Sequence, residues 1–229
     1  MSTHPLPSAE ISPAIQDYIK ACYRLERDTN APVPIGKLAQ ALNVAPPSVT
    51  NMVERLTSLR LVRRDNEGRI GLTPQGMSVA LEVVRHHRLL ETFLINELGM
   101  DWAEAHEEAE VLEHYISERL ESLLDQRLAR PTTDPHGEPI PRKDGTIPLQ
   151  RGRSLLEFEP GSTVTIRQVT AHDPQLLHYL QEQGLIPGTR IRVQRLEPFN
   201  GPLVLDLRGD TRVVSREVAA CITGAAYGK

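Results

Sequence analysis

Seven residues able to hold a metal ion crowd the stretch from Val84 to Leu124: His86, His87, Glu91, His106, Glu110, Glu113 and His114. His87 and Glu91 are spaced i, i+4. His106, Glu110, Glu113 and His114 follow i, i+4, i+7, i+8, which shares one face of a continuous helix. Imidazoles and carboxylates one turn apart are how helices present ligands to a divalent cation. A single such pair is more simply a solvated acidic face. Two sets on consecutive helices favour the metal.

Composition bounds what can position them. A chain of 229 residues with 39% hydrophobic and 24% charged residues is long enough for a buried core and one to three small domains. Cys22 and Cys221 form no zinc-type spacing and read as reduced. No apolar run reaches membrane-span length and no signal-peptide pattern opens the chain, so a cytosolic protein is expected. The net charge of −4 hides an asymmetry. Residues 31–90 carry eight Lys/Arg against four acids, and residues 91–125 carry eleven acids against Arg119 alone. A basic segment beside an acidic one suits a polyanion surface next to a cation site.

Taken in order, residues 1–10 are Pro/Ser-rich and expected to be loose. Ser12 is a candidate N-cap with Pro13 at N1 for a helix through about Arg27. Asp17 falls at the edge of its apolar stripe in the first turn, where it also complements the helix dipole. Ile35–Leu42 reads as a short helix, Val44–Pro47 as a turn and Ser48–Leu59 as a second helix. This is a helix-turn-helix pattern. Lys37, Pro47, Ser48, Thr50, Asn51 and Arg55 are outward candidates for DNA contact, with Asn51 able to pair with adenine. Leu61–Thr73 alternates around Asn66-Glu67-Gly68, predicting a β-hairpin wing. Arg63, Arg64 and Arg69 on it could meet phosphates, or simply be solvated.

Thr73 caps a helix expected to break near Gly99, followed by another from about Ala103 to Arg130. Leu89, Leu90, Phe93, Leu94, Leu98 and Trp102 exceed what a three-helix module covers, leaving a dimer interface or intrachain core. Residues 131–152 read as a Pro/Gly-rich linker without periodicity. Four short runs follow (162–169, 190–196, 202–207, 211–214), with a helix from Asp173 to Gln183 between the first two. They predict a small SH3-like barrel.

On these residues the chain resembles the diphtheria-toxin-repressor and manganese-transport-regulator family of metal-dependent repressors. The resemblance is carried by Ala45-Pro46-Pro47-Ser48-Val49-Thr50, Leu72-Thr73-Pro74-Gln75-Gly76, the run from Arg85 to Glu91, that from His106 to His114, and Asp134 to Pro141. Residues 155–226 look like the family's SH3-like domain, related to the ferrous-transport accessory module. The resemblance implies a regulatory metal site at Asp17, Glu110, Glu113 and His114. It implies an ancillary site at His87, Glu91 and His106, with a fourth ligand from the C-terminal domain matched best by Asp173, or else by His172 or Gln175. His86 matches no ligand. Iron-responsive members carry Met and Cys where this chain has Asp17 and Glu110, whereas manganese-responsive members carry acids. The short manganese regulators have a Glu one turn after the first Asp, where this chain has Lys20.

The expected fold is mainly α with a small β part. It comprises a winged helix-turn-helix (1–76), a helical metal-binding and dimerisation domain with a Pro-rich linker (77–150) and an SH3-like barrel (151–229). The expected function is a cytoplasmic, homodimeric, metal-activated regulator that binds an inverted-repeat DNA operator, with no membrane or small-molecule substrate. Three carboxylates and one imidazole without sulfur favour Mn2+, with Fe2+ as competitor and Zn2+, Co2+ or Cd2+ as possible ligands in vitro. A helix-bundle di-metal oxidase is the enzymatic rival. It would need paired Glu-x-x-His motifs, which do not recur here at suitable spacing. The third reading is a winged-helix regulator that senses no metal.

Overall fold

The computed structural model describes residues 11–149, 152–171 and 173–227. The expectation for residues 1–10 and the alternative ligand His172 lie outside the described residues. The chain divides into two compact units: residues up to His86 with Lys143–Thr146, and His87–Arg142 with the chain from Ile147 onward.

In the first unit, α1 spans Pro13–Thr29, with Ser12 extended before Pro13. Asp17 is its fifth residue, and no acid occupies the first turn. The dipole role expected of Asp17 is therefore weak, because the macrodipole acts within that turn. Helix α2 (Ile35–Leu42) stops at Asn43, whose left-handed conformation closes the C-terminus. Helix α3 runs Pro46–Ser58, starting two residues earlier than expected. The pair Pro46-Pro47 opens the helix rather than forming the turn, since first-turn N–H groups have no intrahelical partner to lose. Val49, Val53 and Leu56 on α3 are buried with Ile15, Ile19 and Leu38. Each such burial contributes roughly 1.5–3 kcal/mol.

The wing is the antiparallel pair β1 (Val62–Arg64) and β2 (Ile70–Leu72), in register Val62↔Leu72. Val33 adds a bridge to Ile70. The Leu72–Gly76 signature has a packing reason. Thr73 Oγ1 donates to Arg60 O and accepts from Gly76 N. A Cβ on Gly76 would stand 2.0 Å from Leu61 O, so only glycine lets the next helix start this close to the wing.

Helix α4 spans Pro74–Leu98, and its residues divide between the units after His86. In the second unit the single helix expected over 103–130 is two: α5 (Trp102–Leu112) and α6 (Glu118–Arg127). Glu113 is the C-cap of α5, and Ser117 caps α6 by accepting from Leu120 N. The four-residue ligand face read from the spacing therefore ends at Glu110; Glu113 and His114 project from the helix end.

The C-terminal sheet has six antiparallel strands in the order β3-β8-β4-β5-β6-β7 among the described residues. These are β3 (Arg153–Ser154), β4 (Thr163–Val169), β5 (Arg190–Leu196), β6 (Leu203–Leu207), β7 (Asp210–Val214) and β8 (Ile222–Ala226). Strands β3 and β8 were not expected from sequence. Helix α7 (Pro174–Glu182) follows β4, and α8 (Arg216–Ala220) precedes β8. Their apolar faces build one core that also takes in Trp102. Leu89, Leu90, Leu94 and Trp102 are buried within the chain, while Leu98 is exposed.

The segment read as a linker without periodicity is built at its start. Asp134 Oδ1 accepts from His136 N and Glu138 N, and Thr133 bridges Pro139. Val169 N donates to His136 O at 2.8 Å, so the turn lies against β4. Gly137 has φ +81°, and a Cβ there would stand 2.0 Å from Arg167 O.

Candidate metal centre and nucleic-acid interface

The second unit gathers three of the expected ancillary residues and sets Glu110, Glu113 and His136 beside them. His87 and Glu91 sit one turn apart on α4, and His106 faces them from α5. His87 Nε2 is 3.0 Å from Glu91 Oε1, and His106 Nδ1 is 2.8 Å from the same oxygen. His87 Nε2 and His106 Nδ1 are 3.2 Å apart. Glu110 comes from the next turn of α5, and donor atoms of His87, His106 and Glu110 all lie within 4.8 Å of one another. Glu91 is 2% exposed and Glu113 1%. Acids so deeply buried require paired charges or a bound cation.

His136 joins the cluster without having been expected there from the sequence. The Asp134 turn places its Nε2 3.5 Å from Glu91 Oε1, with Trp102 edge-on at 4.4 Å between ring centroids. Neither ring nitrogen makes a hydrogen bond of ordinary geometry, although the ring is buried. An imidazole with an unspent lone pair beside a buried carboxylate fits a cation ligand. The available signal was the sequence Asp134-Pro135-His136-Gly137-Glu138, a tight Asx-type turn that buries polar side chains. Arg88 holds the turn through Pro139 O at 2.6 Å and through Glu138 Oε2. Gln168 of β4 donates to the other Glu138 oxygen at 3.3 Å.

Asp173, the expected fourth ancillary ligand, is exposed, and its carboxylate caps α7 by accepting from Leu176 N at 3.0 Å. The C-terminal domain supplies no described contact to this cluster through Asp173. The alternative Gln175 is also exposed, on the first turn of α7.

Electrostatics agree with a site assembled for positive charge. Burial pushes the Glu91 carboxyl up, but His87 and the adjoining imidazoles of His106 and His136 outweigh it and hold it well below the usual range. Burial drives the Asp134 carboxyl up to about 7, against the pull of Arg88.

Three of the four expected regulatory residues, Glu110, Glu113 and His114, lie in the second unit, while Asp17 is half-buried on α1 of the first. Glu113 is tied to both sets: its Oε2 is 2.6 Å from His87 Nδ1, and its Oε1 is 3.8 Å from His114 Nε2. His86 is buried on α4 and is no part of the His87 cluster.

The DNA candidates show the opposite environment. Lys37, Pro47, Ser48, Asn51, Arg55, Arg63 and Arg64 are exposed in the first unit. Thr50 is half-buried, and its hydroxyl donates to Pro46 O. Arg69 is engaged within its own hairpin, by Asp65 at 2.7 Å and Glu67 at 3.1 Å.

Comparison with known proteins accounts for this combination. Residues 10–67 match the model of the iron dependent repressor N-terminal DNA binding domain. Residues 73–142 match that family's metal binding and dimerisation domain, and residues 153–225 match the FeoA domain. The iron-dependent repressor IdeR of Mycobacterium tuberculosis is 32% identical over 200 residues, covering 81% of this chain and 85% of that protein. The diphtheria toxin repressor of Corynebacterium efficiens is 33% identical over 187 residues, covering 77% and 80%. Among solved structures, a manganese-dependent transcriptional repressor in complex with manganese superposes with TM-score 0.84 at 36% identity, over 92% of this chain and 99% of that one. ScaR with bound Cd2+ gives TM-score 0.80 at 33% identity, over 92% and 98%. The chain belongs to the diphtheria toxin repressor family of metal-dependent transcriptional repressors, built from a winged helix, a helical metal-binding domain and an SH3-like barrel. Among the described residues no helix is long and apolar enough to cross a membrane.

Proposed function

We propose that this chain is a homodimeric repressor activated by Mn2+ that acts in the cytoplasm on an inverted-repeat operator, with metal-uptake genes as its targets. The observation that carries the metal-dependent reading is the buried cluster of His87, Glu91, His106, Glu113 and His136 in a chain that also carries a winged helix. The proposed functional division is 1–76 for DNA binding, 77–150 for metal binding and dimerisation, and 151–229 for the barrel.

The ancillary site is read as His87, Glu91 and His106, with His136 in place of Asp173 as the fourth donor. The regulatory site is read as Asp17, Glu110, Glu113 and His114, on donor type and family resemblance. A bound cation would supply positive charge that offsets repulsion among the carboxylates. The regulatory residues come from both compact units, so satisfying them together favours one arrangement of the chain. DNA affinity rises if that arrangement is the one that binds the operator. Val111 and Leu112 on α5, Tyr115 in the turn, and Leu120 and Leu123 on α6 are exposed. They supply an apolar surface suited to a two-fold interface.

Manganese is favoured because the regulatory donors are oxygen-rich and lack sulfur. A structural relative that carries manganese supports the same choice. Iron(II) is the alternative, supported by the iron-dependent relatives at 32–33% identity. Calorimetric titration of the metal-free protein, followed by gel shift with and without metal, tests the reading. Tight Mn2+ binding with DNA retardation only in its presence is expected. Equal retardation by the metal-free protein would support a metal-independent regulator instead.

A further inference from the structure

The outward face of the C-terminal barrel holds a groove of about 530 Å3, a size usual for small-molecule sites. Strand alternation builds it. Val164, Ile191, Val193 and Leu205 point into the core, so their neighbours Thr163, Thr165, Arg190, Arg192 and Asp206 face out. Register sets Thr163 opposite Arg192, Thr165 opposite Arg190, and Arg192 opposite Asp206. Arg208, in the β6–β7 turn, closes one side.

Three guanidinium groups thus converge on one concavity. Three other arginines of the barrel are engaged: Arg195 by Glu197 at 2.7 Å, Arg212 by Asp210 at 3.7 Å, and Arg153 by the ring of Phe158. Among the described residues Arg192 and Arg208 have no carboxylate within ion-pair distance. Arg190 sits over Tyr227, its guanidinium carbon 3.4 Å from the ring centroid. Stacking fixes that guanidinium while leaving its N–H edge free to bond an oxyanion. The single acid, Asp206, already accepts from Gly209 N at 3.1 Å.

We propose that this groove is a binding site for a small oxyanion of two or more negative charges, carried by phosphate or carboxylate groups. Arg192 and Arg208 supply forked N–H pairs, and stacked Arg190 supplies a pre-set third. Thr163 and Thr165 offer hydroxyls to the same ligand, and the free Asp206 oxygen suits a hydroxyl on it. The site uses none of the residues assigned above to metal or DNA.

The test is calorimetry of the metal-free, full-length protein with pyrophosphate, with citrate, and with a duplex DNA lacking any operator, all at one ionic strength. Pyrophosphate or citrate should bind saturably at one site per chain, and which of the two binds more tightly separates phosphate from carboxylate ligands. The double variant Arg192→Gln/Arg208→Gln should weaken that binding at least about tenfold, while Arg195→Gln, whose parent is paired with Glu197, should leave it unchanged. On the unmodified protein, amide shifts from either anion should centre on Thr165, Arg190 and Arg192. Absence of saturation with both anions, equal weakening by Arg195→Gln, or shifts that follow DNA alone would overturn the proposal.

Discussion

The His87 cluster and the outward side of α3 use polar side chains in opposite ways. Around Glu91, two carboxylates and three imidazoles are buried and face one another at 2.6–3.5 Å. Their arrangement has a cost unless a cation or shared protons offset it, so geometry alone points to function. On α3, Ser48, Asn51 and Arg55 are exposed above a core of Val49, Val53 and Leu56, and nothing in their surroundings is costly. A buried polar cluster declares itself; an exposed recognition face is identified only through the elements around it.

The largest effect should come from Glu113→Ala. It removes a donor from the regulatory set and the partner of His87, and should lower metal-dependent DNA affinity by about 100-fold or more. His87→Ala should cost nearer about 10-fold and leave the protein metal-responsive. Because His87 Nδ1 and Glu113 Oε2 are 2.6 Å apart, the double variant should fall short of the summed effects. Additive losses, measured by fluorescence anisotropy, would mean the two sets act independently.

Gly137→Ala should come next. Its left-handed backbone and the approach of Arg167 O leave no room for a methyl group, so the turn carrying His136 must shift. Metal affinity should drop by about 10-fold while the winged helix keeps its thermal transition. Unchanged metal affinity in calorimetry would remove His136 from the ligand set.

On the exposed face the effects should be smaller and different in kind. Asn51→Ala should lose about 1–3 kcal/mol of discrimination at particular bases. Arg64→Ala should weaken all sequences alike and reduce the salt slope by about one. Binding-site selection and salt titration separate the two, and unchanged base preferences for Asn51→Ala would move the recognition helix elsewhere. Arg69→Ala should do least, below about 0.5 kcal/mol, because Asp65 and Glu67 already hold that guanidinium.

What the sequence made legible was local. Apolar spacing marked α1 to α3, the Asn66-Glu67-Gly68 turn marked the wing, and one-turn spacing paired His87 with Glu91. What escaped depended on contacts distant in sequence. The break after Leu112 lies in a stretch polar enough to continue as a solvated helix, and only the Ser117 cap marks it. The turn from Asp134 to Ile140 has no periodicity; it is ordered by Arg88 about fifty residues earlier in the chain and by β4 about thirty later. His136 was therefore invisible as a member of the cluster although it lies within the Asp134–Pro141 run that carries the resemblance. Asp173 has a local role as well: an Asp before Pro174 is a good N-cap, and its carboxylate fills that place.

The most direct test of metal-activated DNA binding is operator affinity of the unmodified protein measured across Mn2+ and anaerobic Fe2+ at one fixed salt concentration, since affinity depends steeply on salt. Negligible binding without metal is expected, with activation at lower free Mn2+ than Fe2+. Activation by Fe2+ at concentrations where Mn2+ fails would contradict the choice of manganese, and equal affinity with and without metal would contradict the central claim itself.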